Sequence, residues 1–310
     1  MLRLRFRDVL NDIENVKTAR AVVFGAGGQL GAAVVSRLQN PPSGRYAVTA
    51  LTRRDVDVTE TGEVTRILRE TRPSLVVNCS ADNGVDRAET EAAAAFAVNA
   101  FAVGTMARAC QQTESVFIHY STDFVFDGEA AEPYREEDRA RPVSMYGASK
   151  LLGEWFAVDA PCHYVLRVAS LFGGASARSS IDRIIGALAG GVPVPVFEDR
   201  TVSPSYVEDV VEASLRLLEV AAPPGIYHCV STGSTTWLDL GRRIAAELDA
   251  DEQLLKPVSI REFAMRARRP AYCALSNARL TAAGVPMPRW EDAISRYVHR
   301  VQRAGVPQPR

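Results

Sequence analysis

Ala21-Val-Val-Phe-Gly-Ala-Gly-Gly-Gln-Leu-Gly31 decides the fold. Four apolar residues that suit a buried strand run straight into a glycine-rich turn. Beyond the turn Leu30, Val34, Val35 and Leu38 recur at helical spacing. Gly25, Gly28 and Gly31 therefore lie between a strand and a helix, the context a dinucleotide fingerprint requires. Gly25 would make the turn, Gly28 would admit backbone to a pyrophosphate, and Gly31 would let helix and strand touch. The helix N-terminus, with its unpaired N–H groups, would then face the phosphates.

Outward from this stretch, short apolar runs alternate with amphipathic ones. Strands are expected at Ala21–Phe24, Tyr46–Leu51, Leu75–Asn78, Val116–His119 and Tyr164–Leu166, with helices near 29–39, 61–71, 89–111 and 144–158. That alternation predicts an α/β protein with a Rossmann-type, doubly wound parallel sheet. After Arg167, Pro193, Pro195 and Pro204 break the rhythm. A helix near 207–220, a strand at Gly225–Cys229, a helix near 236–248 capped by Ser234 and a last helix near 289–301 follow. The expected organisation is an extension over 1–20 and an NAD(P)-binding domain over 21–168 plus about 205–232. A smaller, discontinuous α/β substrate domain takes 169–204 plus 233–310.

A net charge of -1 with 24% charged residues provides no global basic field, which argues against nucleic acid or an anionic membrane as partner. No run reaches the ~18 uncharged apolar residues of a membrane span. Arg3, Arg5, Arg7 and Asp8 interrupt the N-terminus where a signal peptide would be apolar. A cytoplasmic protein is expected, and a homodimer is compatible with it. Cys79, Cys110, Cys162, Cys229 and Cys273 lack CxxC spacing and read as reduced core residues. His119, His163, His228 and His299 lack metal-ligand spacing, and Glu132, Glu136, Glu137 and Asp138 read as a solvated loop, so no metal is expected.

At the cofactor end, the second strand finishes in Leu51-Thr52-Arg53-Arg54. An acid there would grip a ribose 2′-hydroxyl and repel a 2′-phosphate; two guanidiniums instead favour NADPH, with NADH still compatible. The alternative is a pair of solvated surface arginines. Asp57 and Val58 suit either an adenine contact or a helix entry. Asn78-Cys-Ser-Ala81 offers small residues, Ser80 and Ala81 among them, that would let backbone run beside the cofactor or simply pack well.

At the catalytic end, Val116-Phe-Ile-His-Tyr-Ser-Thr-Asp123 sets two hydroxyls and a carboxylate where open α/β sheets hold ligands. Tyr146 and Lys150, four apart in Tyr-Gly-Ala-Ser-Lys, share a helix face, so the ammonium would favour the ionised phenol and also bind the nicotinamide ribose. Tyr146 would give a proton to a carbonyl that receives hydride. Thr122 would hold the carbonyl oxygen, with Ser121 as the alternative. Asn99 would steer backbone and water near Lys150. Arg266, Arg268 and Arg269 precede Pro270 and suit either a substrate diphosphate or a solvated basic turn.

The GxxGxxG spacing, Tyr146 and Lys150 resemble the extended short-chain dehydrogenase/reductase superfamily, and within it the dTDP-4-dehydrorhamnose reductase family. Carrying segments are Gly25–Gly31, Asn78–Glu89, Ser121–Gly128, Pro133–Asp138, Tyr146–Glu154 and Ser203–Asp209. The resemblance implies Thr122, Tyr146 and Lys150 as the catalytic set. It implies Gly28, Gln29, Leu30, Asp57, Val58, Ala81 and Asp82 along the cofactor, and Thr122 with Asp123 on the sugar. It further implies reduction of the C4 keto group of a nucleotide-diphosphate-linked 4-dehydro-6-deoxyhexose. Two positions depart from the family pattern: Ser170 stands where a sugar-contacting tryptophan is frequent, and Asp199-Arg200 replaces an Asp-Gln pair.

Three rivals share the superfamily. A 4,6-dehydratase needs a base after the acid, and Phe124 follows Asp123. A 4-epimerase would hold NAD, against the arginines at 53 and 54. An NADP-binding regulatory subunit resembling that of methionine adenosyltransferase would copurify with a larger enzyme and turn over no ketosugar.

Overall fold

The computed structural model describes residues 19–40, 46–175, 179–263 and 265–304. The first 18 residues of the expected extension lie outside them, and its last two, Ala19 and Arg20, already belong to the sheet. Six parallel strands form that sheet: β1 (Ala19–Phe24), β2 (Tyr46–Leu51), β3 (Leu75–Asn78), β4 (Val116–Thr122), β5 (His163–Val168) and β6 (Gly225–His228). Their spatial order is β2-β1-β3-β4-β5-β6. β3 and β4 are buried along their whole length, which is why their sequences read as continuous rather than alternating apolar runs.

Helices cover both faces. On one, α1 (Gln29–Gln39) and α6 (Val207–Glu219) enclose Val23, Leu30, Val34, Leu166 and Val211. On the other, α2 (Thr61–Thr71) and α3 (Ala92–Thr113) enclose Phe24, Leu68, Met106 and Phe117. By length and composition α3 is apolar enough to cross a bilayer, yet 61% of its apolar window is buried. Residues Ala97–Phe101 within it take a π-helical turn. A further helix, α4 (Met145–Ala157), starts where the Ser144 side chain accepts a hydrogen bond from Gly147 N at 3.2 Å.

A second core lies beyond β5, around Phe172, Ile185, Trp237, Leu240 and Tyr297. It is built by α5 (Ser180–Ala189), α7 (Trp237–Leu248), α8 (Trp290–Ala304) and the parallel pairing of Val194–Phe197 with Leu255–Val258. Thr236, not Ser234, caps α7, its hydroxyl accepting from Asp239 N at 3.0 Å. The sequence offers both hydroxyls, and the short pairing of Thr235–Thr236 with Thr201–Val202 delays the helix by two residues. All five cysteines are unpaired, and Cys110, Cys229 and Cys273 are buried.

Candidate active site

Strand order reverses between β1 and β3, and the crevice this creates at their carboxyl ends is where open α/β sheets bind ligands. A cleft of about 960 Å³ opens there, lined by Gly25, Gly28, Thr52, Arg53, Arg54, Asp57, Val58, Ser80, Ala81 and Asp82 among others. Gly25 has φ +74°, and a Cβ on it would stand 2.6 Å from the Cys79 carbonyl carbon. A Cβ on Gly31 would meet the Gly25 oxygen at 2.2 Å, so this glycine sets how closely α1 approaches β1. Gly28 is the N-cap of α1 and supplies no side-chain cap, which leaves the first amides of the helix for an anion. The side chains of Gln29 and Leu30 are engaged elsewhere: Gln29 Nε2 donates to Gly173 O at 2.9 Å, and Leu30 is buried in the core.

Among the described residues Arg53 and Arg54 form no ion pair within 4.0 Å, while Asp55 is occupied by the Thr52 amide and hydroxyl at 2.8 and 2.6 Å. The nearest acid is thus turned back on its own loop and both guanidiniums remain at the cleft. Asp57 accepts from Thr59 N and Oγ1, the geometry of a helix entry, and also lines the cleft; the two sequence alternatives coexist.

β4 separates the hydroxyls by strand alternation, since neighbours point to opposite faces. Ser121 Oγ donates to Glu154 Oε1 at 2.5 Å, inside a buried pair in which Arg167 meets the same carboxylate at 2.9 and 2.8 Å. The Ser121 hydroxyl is therefore engaged inside the protein. Thr122 faces the other way: its hydroxyl donates to Asp123 Oδ1 at 2.9 Å and accepts from Phe124 N at 3.2 Å. Its hydroxyl lies near the Tyr146 phenol.

Burial pushes the Tyr146 phenol up, and the Asp123 and Asp82 carboxylates push it further, while Thr122 opposes them. Lys150 is held from the strand side. Its ammonium donates to Tyr120 O at 2.6 Å, and burial lowers it to about 8 against the attraction of Glu154. Tyr146 Oη donates to Asn83 Oδ1 at 3.4 Å, a residue of the cleft wall, which joins the two ends of the site.

Asn99 is fully buried. Its amide is consumed by Asp82 N, Asp82 O and Ser149 Oγ at 2.8, 3.0 and 3.0 Å, tying the cleft wall to the helix of Tyr146. Arg269 grips Asp86 with two bonds of 2.6 and 2.7 Å, so its fork is already occupied. Arg266 reaches Thr90 at 3.4 Å, and these contacts latch the segment before Pro270 onto the cleft wall. Ser170 follows β5 with φ +44°, a left-handed position for a non-glycine residue. Glu136, expected in a solvated loop, is buried and accepts from His228 N at 2.8 Å. His228 is held neutral by burial and Arg167, its titration lowered to about 3.

Sequence reasoning gave Arg200 no role in the site. Its guanidinium lies over Phe124, 5.4 Å from the ring centroid, and Phe124 packs edge-on against Tyr146. The arginine sits in a loop far along the chain from the glycine turn and from Tyr146, and only its departure from the family pattern marked it.

The chain belongs to the RmlD substrate binding domain family, which matches residues 19–303. It is 35% identical over 298 residues to a dTDP-4-dehydrorhamnose reductase of Streptomyces griseus, covering 94% of this chain and 97% of that one. It is also 35% identical over 297 residues to a probable dTDP-4,6-dihydroxy-2-methyloxan-3-one 4-ketoreductase of Streptomyces antibioticus, covering 94% and 98%. The crystal structure of dTDP-4-dehydrorhamnose reductase from Bacillus anthracis in complex with NADP superposes with a TM-score of 0.85 at 29% identity, covering 91% of this chain and 99% of that chain.

Proposed function

We propose that this protein is an NADPH-dependent oxidoreductase that reduces the C4 keto group of a dTDP-linked 4-dehydro-6-deoxyhexose, a step of deoxysugar biosynthesis. The observation that carries the reading is the Tyr146 hydroxyl, which donates to Asn83 on the wall of the cleft made by the Gly25 turn. The cleft fits the cofactor: the uncapped first amides of α1 suit the pyrophosphate, and Arg53 with Arg54 suits a 2′-phosphate. Bound NADPH supplies the hydride.

The chain's own groups do the rest. Thr122 and Tyr146 orient the carbonyl oxygen through their hydroxyls. Because burial keeps the phenol protonated at neutral pH, Tyr146 holds a proton ready for the oxygen as negative charge develops there. Lys150 contributes a buried positive charge beneath the site and, through Tyr120 O, fixes α4 against β4. The second core, around Trp237 and Tyr297, would carry the nucleotide sugar. We place the activity in the cytoplasm, where unpaired thiols stay reduced, and a homodimer is compatible with it.

The test is oxidation of NADPH against a panel of nucleotide-linked 4-ketohexoses. Turnover of a 4-dehydro-6-deoxyhexose supports the reading; none with any member of the panel sinks it.

A further inference from the structure

Directly beside the reacting hydroxyls lies a pair of polar groups that the protein leaves incomplete. Asp123 is 4% exposed, and although Oδ1 takes the Thr122 hydroxyl at 2.9 Å, the buried Oδ2 has no hydrogen-bond partner. Arg200 stands opposite. Its buried Nε likewise has no partner, and Nη2 finds only the Cys273 sulfur at 3.8 Å. The two are close enough for their charges to act on one another, yet they form no ion pair within 4.0 Å. A buried acceptor and a buried donor left unsatisfied are costly, so each calls for a partner that the folded chain does not supply.

The arginine is held in place. Asp199, its neighbour, accepts from Ser259 Oγ at 2.6 Å and Ile260 N at 2.8 Å, and Arg200 O accepts from Trp237 N at 3.3 Å. Phe124, under the guanidinium, carries the contact on to Tyr146.

We propose that Arg200 and Asp123 form a donor–acceptor pair that reads the hydroxyl at C3 of the sugar, which makes Arg200 a specificity-determining residue for 3-hydroxylated 4-ketohexoses. The inference rests on the reading that Thr122 and Tyr146 hold the C4 oxygen. A hydroxyl is the group that uses both partners, donating to the carboxylate and accepting from the guanidinium. Its position follows from Asp123. One carboxylate oxygen is bonded to Thr122, so a group at the other lies on a carbon next to the carbonyl. In a 6-deoxyhexose C5 carries the methyl group and the ring oxygen, which leaves C3.

Kinetics with a nucleotide-linked 4-dehydro-6-deoxyhexose and its 3-deoxy counterpart test this. The unaltered protein should prefer the 3-hydroxy sugar in kcat/KM by about 10- to 100-fold, the range of a charge-assisted hydrogen bond. Arg200→Met should bring that ratio close to one by losing activity on the 3-hydroxy sugar alone, and Arg200→Lys should restore part of it. NADPH affinity, read by fluorescence, should not change in either variant. An unaltered ratio in Arg200→Met, or equal losses on both sugars, overturns the inference and leaves the proposed function standing. Absence of turnover in the unaltered protein overturns both.

Discussion

Tyr146 and Lys150 stand four residues apart on α4, and burial drives the two in opposite directions. The phenol is raised and stays protonated; the ammonium is lowered to about 8. Tyr146→Phe should therefore lower turnover by roughly 10²–10⁴-fold with NADPH affinity little changed, since the proton donor goes and the binding groups remain. A variant within a few-fold of the unaltered protein would show that another group delivers the proton. Lys150 sets a pH limit of its own. Its positive charge is present below pH 8 and lost as pH rises through about 8, so NADPH affinity of the free protein should fall across that interval. Lys150→Arg, permanently charged, should abolish the fall in a fluorescence titration. At this scale the sequence identified which residue types matter, because the motif spacing carries them. It left open where each side chain points, because that depends on strands that meet only after folding. Ser121 was turned away by the pleat of β4, and Asn99 was taken up by Asp82 and Ser149.

The β1–turn–α1 unit was legible because every constraint in it is local: strand, glycines and helix are contiguous. Gly31→Ala should cost about 1–3 kcal/mol or more, since its Cβ would enter the Gly25 oxygen at 2.2 Å and lever α1 off β1. Gly62→Ala at the start of α2 has nothing within 4 Å and should be neutral or stabilise by about 0.4–1 kcal/mol. Thermal unfolding of the two variants separates them, and equal midpoints would contradict the packing argument. The turn after β2 belongs to the same scale. Replacing Arg53 and Arg54 together by Ala should weaken NADPH binding at least about tenfold and leave NADH nearly unaffected. Equal affinity of the unaltered protein for both cofactors would make these arginines ordinary surface charges.

Across the whole molecule, the parallel sheet was foreseen from the alternation of runs, whereas the packing of distant segments was not. The latch of Arg269 on Asp86 joins residues far apart in sequence, with no local signal in either. Asp86 is half exposed, so solvent screens the pair, and a double-mutant cycle should return a coupling of about 1 kcal/mol. Arg269→Gln should also loosen the cleft wall near Arg87 and raise the dissociation constant for NADPH. A change confined to the KM of the nucleotide sugar would instead point to the diphosphate, the reading that the bidentate contact argues against.

The π-helical turn at Ala97–Phe101 acts as a phase shifter. Ala94, Ala97 and Val98 line the cofactor cleft, while Ala102, Val103, Met106 and Cys110 are buried in the interior. One residue more than an α-helix would use lets a single rod present its two halves to different neighbours. Deleting one alanine there would rotate the leading half by about 100° against the trailing half. The cleft would then lose its small-residue wall although no residue named in the chemistry had been touched.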